Sequence, residues 1–469
     1  MARRYRMSET KKRGADELLG SSKMLPLIFK MALPTVAAQL VNLLYGVVDR
    51  IYIGHIEGIG NDALAGVGVA STVVILVAAF ANILAGGGAP LAAIALGRGN
   101  REKCERILGN CFTLGIIFTV LCTSLSYAFM TPLLNFAGAS EVTRVYAEDY
   151  LTFYLIGTLF VMISTGLNSF ISAGGHPMIA MISVAMSALL NTILDPVFIF
   201  ALGMGVKGAA VATVISQCAS AVFVLLFLLS EKSTIRLNFK TASPDIKIIG
   251  SILALGISPF VMASTESLVG FVLNGSLSDF GDIYVSALTV MQSAMQIVSI
   301  PLSGFTLGVS PIISYNYGHR NNGRVKEALK YLMIIGVGFN LIGMLAMIIF
   351  PGAVASIFTS DEALIAIVRS YMPVFLLGMT IFGLQRVCQT TFVALGDAKI
   401  SLFIALLRKI ILLIPLALIL PSFMGVMGVY SAEAIADATA AILCTLIFVF
   451  RFPSLLKKNL KTNENVNDN

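Results

Sequence analysis

The chain has 469 residues, of which 57% are hydrophobic and only 12% charged, and its mean hydropathy is +0.88. A soluble protein of this length needs many more charged side chains to cover its surface, so the composition excludes a soluble globular protein. The formal net charge of +7 could by itself indicate a nucleic-acid-binding protein, but the positions of the basic residues, described below, give it another explanation.

Apolar runs of about 20 residues recur along the chain, which is the length that an α-helix needs to cross about 30 Å of hydrocarbon. The runs lack the period-two alternation of a barrel strand, and in one continuous run only a helix satisfies every backbone amide internally. We therefore predict an all-α integral membrane protein with twelve transmembrane helices. The predicted helices cover residues 25–54, 63–86, 107–130, 146–172, 178–201, 207–230, 249–276, 284–313, 328–351, 363–393, 399–421 and 425–450.

The basic residues divide the segments between these helices into two sets. The two ends of the chain and every second connection together hold 24 Lys and Arg residues, whereas the six intervening loops hold two, Arg144 and Lys207. By the positive-inside rule, both termini lie in the cytoplasm, in a multi-pass protein of the bacterial plasma (inner) membrane. Basic loops that face anionic lipid head groups explain the net charge, and we expect no nucleic-acid partner.

An internal repeat relates the two halves of the chain at an almost constant offset of 221 residues. Each half holds an even number of helices, so both halves insert with the same orientation and form parallel-repeat lobes. Near the ends of the halves the offset changes to 220, for GVKG at 205–208 and GVMG at 425–428, and to 225, for Pro34 and Pro259. The pairs at the offset of 221 include Gly87 and Gly308, Pro90 and Pro311, and Gly97 and Gly318.

The repeat predicts the domain organisation. Two six-helix lobes, an N-lobe of residues 25–230 and a C-lobe of residues 249–450, surround a central cavity. A cytoplasmic N-terminal tail (1–24), a cytoplasmic linker (231–248) and a cytoplasmic C-terminal tail (451–469) complete the chain. A duplicated twelve-helix bundle of this kind indicates a transporter, whose lobes rock to give alternating access.

The first helix carries a polar stripe. Gln39, Asn42, Gly46 and Asp49 follow at i, i+3, i+7 and i+10 and so occupy an arc of roughly 80°. An ionisable residue inside a span costs at least ~2.5–3.5 kcal/mol and marks a functional site. We expect Gln39 and Asn42 to line the substrate cavity and Asp49 to bind the coupling cation. The alternative is an interfacial ion pair of Asp49 with the adjacent Arg50.

The fifth helix carries Asn191 and Asp195, which are four residues apart and share one helix face. Carboxylates and an amide oxygen in an apolar bundle form a site for a hard cation such as Na⁺, or for a proton. The alternative is a structural role for Asp195, which lies late in its span. We expect no cofactor beyond the coupling ion, Na⁺ or H⁺.

The second half does not repeat these acids. It has Glu266 in the seventh helix, and Glu433 and Asp437 one turn apart in the last. Two interpretations of Glu266 stay open: a cavity carboxylate that attracts cationic substrates, which we favour, or a structural partner of Arg386 or Arg408. Whether these three acids form a second functional site is also open.

The eighth helix contributes four further candidates for the substrate cavity: Met291, Gln292, Met295 and Gln296. Flexible methionines suit an adaptable cavity that binds many compounds. The alternative is ordinary packing inside the lobe.

The chain resembles the multidrug and toxic compound extrusion (MATE) family over essentially its whole length. The resemblance rests on LPTVAAQLVNLLYGVVDRIYIG in the first helix, on LGRGNREK after the second, on NTILDPVFIF in the fifth, and on the repeat. The VDRIYIG and NxxxDP segments are most similar to the MepA/DinF-like bacterial branch.

This resemblance implies antiport of drugs against a cation by a protein that we expect to be monomeric, with cationic or amphipathic small molecules as its cargo. It implies a cation site at Asp49, Asn191, Asp195 and Thr213, and it matches Glu266 to the seventh-helix glutamate of sodium-coupled members. The tenth helix departs from those members, because residues 369–395 contain no acid, which argues against a complete sodium site in the C-lobe.

Two other functions compete with this interpretation. A flippase for a lipid-linked oligosaccharide or another lipid precursor, from the same broad fold group, would need several basic residues in its cavity to bind pyrophosphate. A membrane-embedded enzyme would need a catalytic motif such as HExxH, and the sequence contains none. We therefore predict a transporter and not an enzyme.

Overall fold

The structure is a computed structural model that describes residues 16–239 and 243–461. Twelve helices in these residues are long and apolar enough to span a membrane, the number predicted from the sequence. The first half forms α1 Met24–Gly54, α2 Gly60–Gly97, α3 Arg101–Ala128, α4 Glu141–Ala173, α5 Pro177–Ala201 and α6 Val206–Leu229. The second half forms α7 Ile246–Ser278, α8 Asp282–Gly318, α9 Asn322–Ile349, α10 Glu362–Ala394, α11 Lys399–Met424 and α12 Val426–Leu460.

Several helices extend beyond the apolar runs that predicted them. Helix α2 continues to Gly97 instead of ending at 86, α3 begins at Arg101 instead of 107, and α12 continues to Leu460 instead of 450. Hydropathy detects only the turns that lie in hydrocarbon, whereas capped polar turns stay helical beyond it. The Asn100 side chain, for example, accepts a hydrogen bond of 2.9 Å from the Lys103 amide and caps α3.

The predicted tails and linker are only partly covered. Residues 1–15, 240–242 and 462–469 lie outside the described residues and include most of the predicted N-terminal tail, the end of the predicted C-terminal tail and part of the linker. The described part of the linker packs against the N-lobe: Ile235 and Leu237 are buried, and the Asp245 amide donates a hydrogen bond of 2.8 Å to Asn110 Oδ1.

The repeat predicted from the offset is visible in matching backbone features. Gly205 and Gly425, 220 residues apart, have φ values of 56° and 57°, a left-handed conformation that glycine adopts without strain. Three residues later, Gly208 and Gly428 each pack directly on the backbone near the end of the preceding helix, α5 or α11. The same turn therefore begins the sixth helix of each lobe.

The two lobes meet through a reciprocal contact between α2 and α8. Gly97 packs on the carbonyl group of Tyr315, and Gly318 packs on that of Ile94, so that a β-carbon at either glycine would overlap the opposing oxygen. A contact in which each partner repeats the other's role implies a two-fold axis. Since α2 and α8 run in the same direction, this pseudo-axis lies along the membrane normal.

Among the described residues, the lobes are joined in one half of the bundle, the half in which α1 begins and α12 ends, which we call the terminal half. One cluster of buried apolar side chains runs from the N-lobe into the terminal half of the C-lobe, while a separate cluster fills the rest of the C-lobe. The segment Asp16–Ser21 also contacts this half: the Leu19 carbonyl accepts a hydrogen bond of 2.9 Å from Asn316. The described glycines packed against the other lobe lie here: Gly86, Gly87, Gly97, Gly256, Gly304, Gly308, Gly318 and Gly396.

Candidate functional site

Helices α5 and α6 bring three of the predicted cation-site residues together. The Asn191 side chain donates hydrogen bonds of 3.1 Å to Asp195 Oδ1 and of 3.3 Å to Thr213 Oγ1, and all three residues are at most 1% exposed. Pro196 removes a backbone donor directly after Asp195, and the helix continues as a π-helical turn over Val197–Ala201. The carboxylate thus lies beside a local irregularity of the helix.

Helix α1 adds Asp49, which is buried and only 8% exposed. Asp49 lies within electrostatic range of Asp195. One turn before Asp49, the Tyr45 hydroxyl shares a hydrogen bond of 3.3 Å with Thr213 Oγ1. Arg50 is exposed, and within the described chain it forms no ion pair with Asp49. The structure therefore does not contain the alternative, an interfacial ion pair between Asp49 and Arg50.

The four residues Asp49, Asn191, Asp195 and Thr213, called the N-lobe cluster below, contain buried oxygen atoms without a donor. Asp49 Oδ1, Asn191 Oδ1 and Asp195 Oδ2 have no hydrogen-bond partner. Buried polar atoms are normally satisfied, so these three oxygens fit a proton or a bound cation. Among the described residues, no group of three or more His, Cys, Asp or Glu side chains is placed to hold a metal ion. A cation in the N-lobe cluster would meet two carboxylates and neutral amide and hydroxyl oxygens, which suits a hard ion such as Na⁺.

A cavity of about 620 Å³ lies between the lobes and is lined by residues of both. Hydroxyl and amide side chains are frequent in its lining, and Glu266 and Arg386 are its two charged residues among those described. Gln39, Asn42 and Glu266 line it, where the sequence analysis placed them. Tyr45 lines it as well and so connects the cavity to the N-lobe cluster.

The four candidates of the eighth helix lie elsewhere. Met291 is completely buried in the core of the C-lobe, and Met295 packs against that core. Neither they nor Gln292 and Gln296 belong to the lining of the cavity, so the sequence-based placement differs from the structure. The difference lies in the position along the helix. Helix α8 lines the cavity from Leu307 onward, which is more than ten residues closer to the terminal half than the four candidates.

In the C-lobe, α11 changes to a π helix over Leu407–Leu413 and carries two consecutive buried basic residues there. Arg408 forms ion pairs with Asp437 and, at 3.9 Å, with Glu433 Oε1. Its guanidinium carbon also lies 4.4 Å from the centre of the Phe382 ring, within the range of a cation–π contact. These contacts tie α11 to α12 and α10.

The second basic residue, Lys409, lies between two carboxylates. Its Nζ is 3.5 Å from Glu266 Oε1 and 4.0 Å from Glu433 Oε1. The sequence suggests Arg386 or Arg408 as a structural partner of Glu266. In the structure its ion-pair partner is Lys409 instead. Glu266 is still 62% exposed and lines the cavity, so its pairing with Lys409 leaves it accessible from the cavity. We call Arg408, Lys409, Glu433 and Asp437 the C-lobe network.

Sequence reasoning missed three residues of these sites: Tyr45, Gln217 and Lys409. Gln217 lines the cavity, and its buried Oε1 has no hydrogen-bond partner. A signal was present for the first two, because Tyr45 lies one turn before Asp49 and Gln217 one turn after Thr213 on the same helix faces. No signal distinguished Lys409 from its neighbour, because the π helix decides their directions.

Comparison with known protein families decides what this architecture is. The model of the MatE family matches residues 34–197 and 259–419. The chain belongs to this family. The two matches begin 225 residues apart, which is the offset between Pro34 and Pro259, and they cover both halves of the repeat.

Curated relatives support the membership in the MATE family. Multidrug export protein MepA of Staphylococcus aureus is 26% identical over 417 residues, which cover 89% of this chain and 91% of that protein. MepA of Staphylococcus haemolyticus is 23% identical over 426 residues, covering 91% of this chain and 93% of the relative. The resemblance inferred from the sequence motifs is confirmed.

Solved structures confirm the fold. A crystal structure of MATE in the straight conformation superposes with a TM-score of 0.86 at 23% identity and covers 95% of this chain and 99% of its own. A crystal structure of MATE in the bent conformation gives a TM-score of 0.86 at 24% identity with the same coverage. This MATE protein is thus an all-α membrane transporter of two lobes and not an enzyme.

Proposed function

We propose that this MATE protein exports cationic and amphipathic small molecules in exchange for Na⁺ or H⁺, by alternating access of its two lobes. The observation that carries this proposal is the N-lobe cluster, in which two buried carboxylates have oxygens without donors and form no ion pair with a described residue. Such a site is favourable only when a proton or a cation occupies it.

Tyr45 offers the physical connection between ion and cargo. Its hydroxyl shares a hydrogen bond with Thr213 of the cluster, while its side chain lines the cavity. A cation that is coordinated by Thr213 Oγ1 competes with this hydrogen bond. The Tyr45 side chain then moves toward the cargo and weakens its binding. Coupling requires only that ion and cargo disfavour each other's presence.

The cavity supports the class of cargo. Its volume of about 620 Å³ lies within the usual range for small-molecule sites, roughly 300–1,000 Å³. Glu266 offers a carboxylate to a cationic group, and apolar side chains such as Met262 and Leu307 offer surface to an amphipathic one. Arg386 is the one basic residue in the described lining, whereas a flippase for lipid pyrophosphates calls for several.

The lobes and the membrane orientation are part of the proposal. Lobes of residues 25–230 and 249–450 would rock about the interface in the terminal half, where the described structure joins them. We propose that this half, with tails 1–24 and 451–469 and linker 231–248, faces the cytoplasm in a bacterial plasma membrane. The distribution of basic residues, 24 on one side and two on the other, supports this orientation. We propose that the transporter works as a monomer, with no cofactor besides its coupling ion.

The test is transport in proteoliposomes with a sodium gradient and a pH gradient imposed separately, using ethidium as cargo. Wild-type protein should transport ethidium under at least one gradient, and Asp49→Asn should abolish this transport while the variant stays folded and inserted. The matched control is Asp62→Asn, which removes an exposed carboxylate at the start of α2 and should transport normally. Wild-type transport by Asp49→Asn would refute the proposal.

A further inference from the structure

We propose that Arg386 is a binding subsite for an anionic group of the cargo, so that the cavity accepts amphoteric molecules carrying a carboxylate together with an amine or iminium group. This inference deepens the proposed export function and rests on it.

The first observation is the charge of the cavity wall. Among the described lining residues, Glu266 on α7 and Arg386 on α10 are the two that carry a charge, and they have opposite signs. They lie within electrostatic range of each other, yet they do not form an ion pair. One ligand can therefore contact both groups at once.

The second observation is that Arg386 lacks a partner. No described residue forms an ion pair or a hydrogen bond with it, and its Nε is buried without an acceptor. Thr390 and Val393 line the cavity on the same face of α10, at i+4 and i+7 from Arg386, so this face of the helix is directed at the cavity. A guanidinium keeps its charge and binds carboxylates through two parallel hydrogen bonds, so a cargo carboxylate supplies the missing acceptor.

The third observation is the charge balance around the cavity. Both basic residues of the C-lobe network are already paired, Arg408 with Asp437 and Lys409 with Glu266 and Glu433. Their charges and that of Arg386 equal those of the three carboxylates. A cargo that brings only a positive charge leaves these six side chains and the cargo with a net charge beside the apolar core of the C-lobe, whereas an amphoteric cargo keeps them neutral.

The experiment uses two dyes that differ by one ester: rhodamine 110, which carries a free carboxylate, and rhodamine 123, its methyl ester. Binding to the full-length protein in nanodiscs is measured by fluorescence anisotropy without any ion gradient. Wild-type protein should bind the acid about tenfold more tightly than the ester, because a charge-assisted hydrogen-bonded pair is worth about that factor.

Arg386→Gln should lower the affinity for the acid about tenfold and leave the affinity for the ester unchanged. The retained ester binding shows that the variant is folded. Arg386→Lys keeps the charge and should keep part of the preference, and Arg369→Gln, on the same helix but outside the cavity lining, should behave as wild type. Equal binding of both dyes to wild-type protein, or an equal loss of both in Arg386→Gln, would overturn the subsite.

Ion-driven transport of rhodamine 123 in proteoliposomes separates this inference from the proposed function. If the ester is transported but the acid has no advantage in binding, only the subsite fails. If the acid is preferred through Arg386 but no ion gradient drives either dye, the subsite stands and the coupling mechanism fails.

Discussion

The two lobes have the same backbone fold, but their buried carboxylates differ in whether they are paired with a basic residue. In the N-lobe, Asp49 and Asp195 are both buried within electrostatic range of each other, and in the described chain neither forms an ion pair. In the C-lobe, every buried carboxylate of the network has a basic partner from α11. Unpaired carboxylates need an external proton or cation, whereas paired ones are satisfied by the protein itself.

This difference teaches that a duplicated architecture does not duplicate its chemistry. The glycines that bring helices together recur in both halves, because the close backbone approach that they permit is part of the shared fold. The polar side chains have diverged, because each serves a separate task. We expect ion coupling in the N-lobe, and in the C-lobe stability together with recognition of cargo.

The largest expected effect is on stability and falls in the C-lobe. Asp437→Asn leaves Arg408 with one ion pair, the longer one to Glu433, and should lower the free energy of unfolding by about 3–5 kcal/mol. Thermal unfolding in detergent measures this loss. The double variant Arg408→Met with Asp437→Leu removes both charges and should recover much of the stability. A single variant as stable as wild type would show that the network is not structural.

The matching change in the N-lobe should act on transport instead. Asp195→Asn removes one of two unpaired carboxylates and should reduce ion-driven transport about 100-fold, the upper range of a typical coupling between two sites. Its melting temperature should equal or exceed that of wild type, because no partner loses an ion pair. Proteoliposome transport and thermal unfolding are measured on the same sample. A destabilised variant with normal transport would contradict the roles assigned here to the two lobes.

Where the lobes are alike, equivalent changes should have equal effects. Gly97→Ala and Gly318→Ala each place a β-carbon against a carbonyl oxygen of the other lobe and should disfavour the joined terminal half by about 1–3 kcal/mol. Distances between spin labels in the 98–100 and 319–321 connections should lengthen in both variants. Gly250→Ala, with nothing within 4 Å, is the control. Unchanged distances in both variants would show that this interface does not govern the conformation.

The smallest effect should come from the connection between cluster and cavity. Tyr45→Phe removes one hydrogen bond to Thr213 and keeps the ring in the cavity wall. A neutral hydrogen bond contributes about 0.5–1.5 kcal/mol, so the concentration of the coupling ion at half-maximal transport should change about two- to tenfold. Thr390→Val, at a cavity position away from the N-lobe cluster, should leave it unchanged. The same small shift in both variants would argue against a special role for Tyr45.

Much of the N-lobe cluster could be anticipated because its geometry is local. Asn191 and Asp195 are one helical turn apart, so their shared face follows from helix periodicity alone. The approach of Asp49 and Thr213 depends on how α1, α5 and α6 pack, and sequence alone suggested it only through the family resemblance. The position of Tyr45 one turn before Asp49 was the only signal for it, because a tyrosine in a span has no unusual energetic cost.

The candidates on α8 failed for a related reason. Polar and flexible residues such as Gln292 and Met295 indicate a helix face, but not the depth at which that face meets the cavity. The part of the helix that meets the cavity depends on how closely the two lobes approach each other. This distance is set by glycines of one lobe that pack on the backbone of the other, far away in the sequence.

The sequence by itself determined the membrane class, the twelve helices, the parallel repeat and the uneven distribution of buried acids, because each of these follows from hydropathy, periodicity or residue spacing. Only the tertiary structure decided which charges meet. Lys409 pairs with Glu266 because a π-helical turn in α11 changes the direction of two adjacent basic residues, and Arg386 is left facing the cavity. An ion pair between two helices forms only when the rotation of each helix about its axis and its shift along that axis bring the charged atoms within a few ångströms. The spacing of residues along one helix does not encode either quantity.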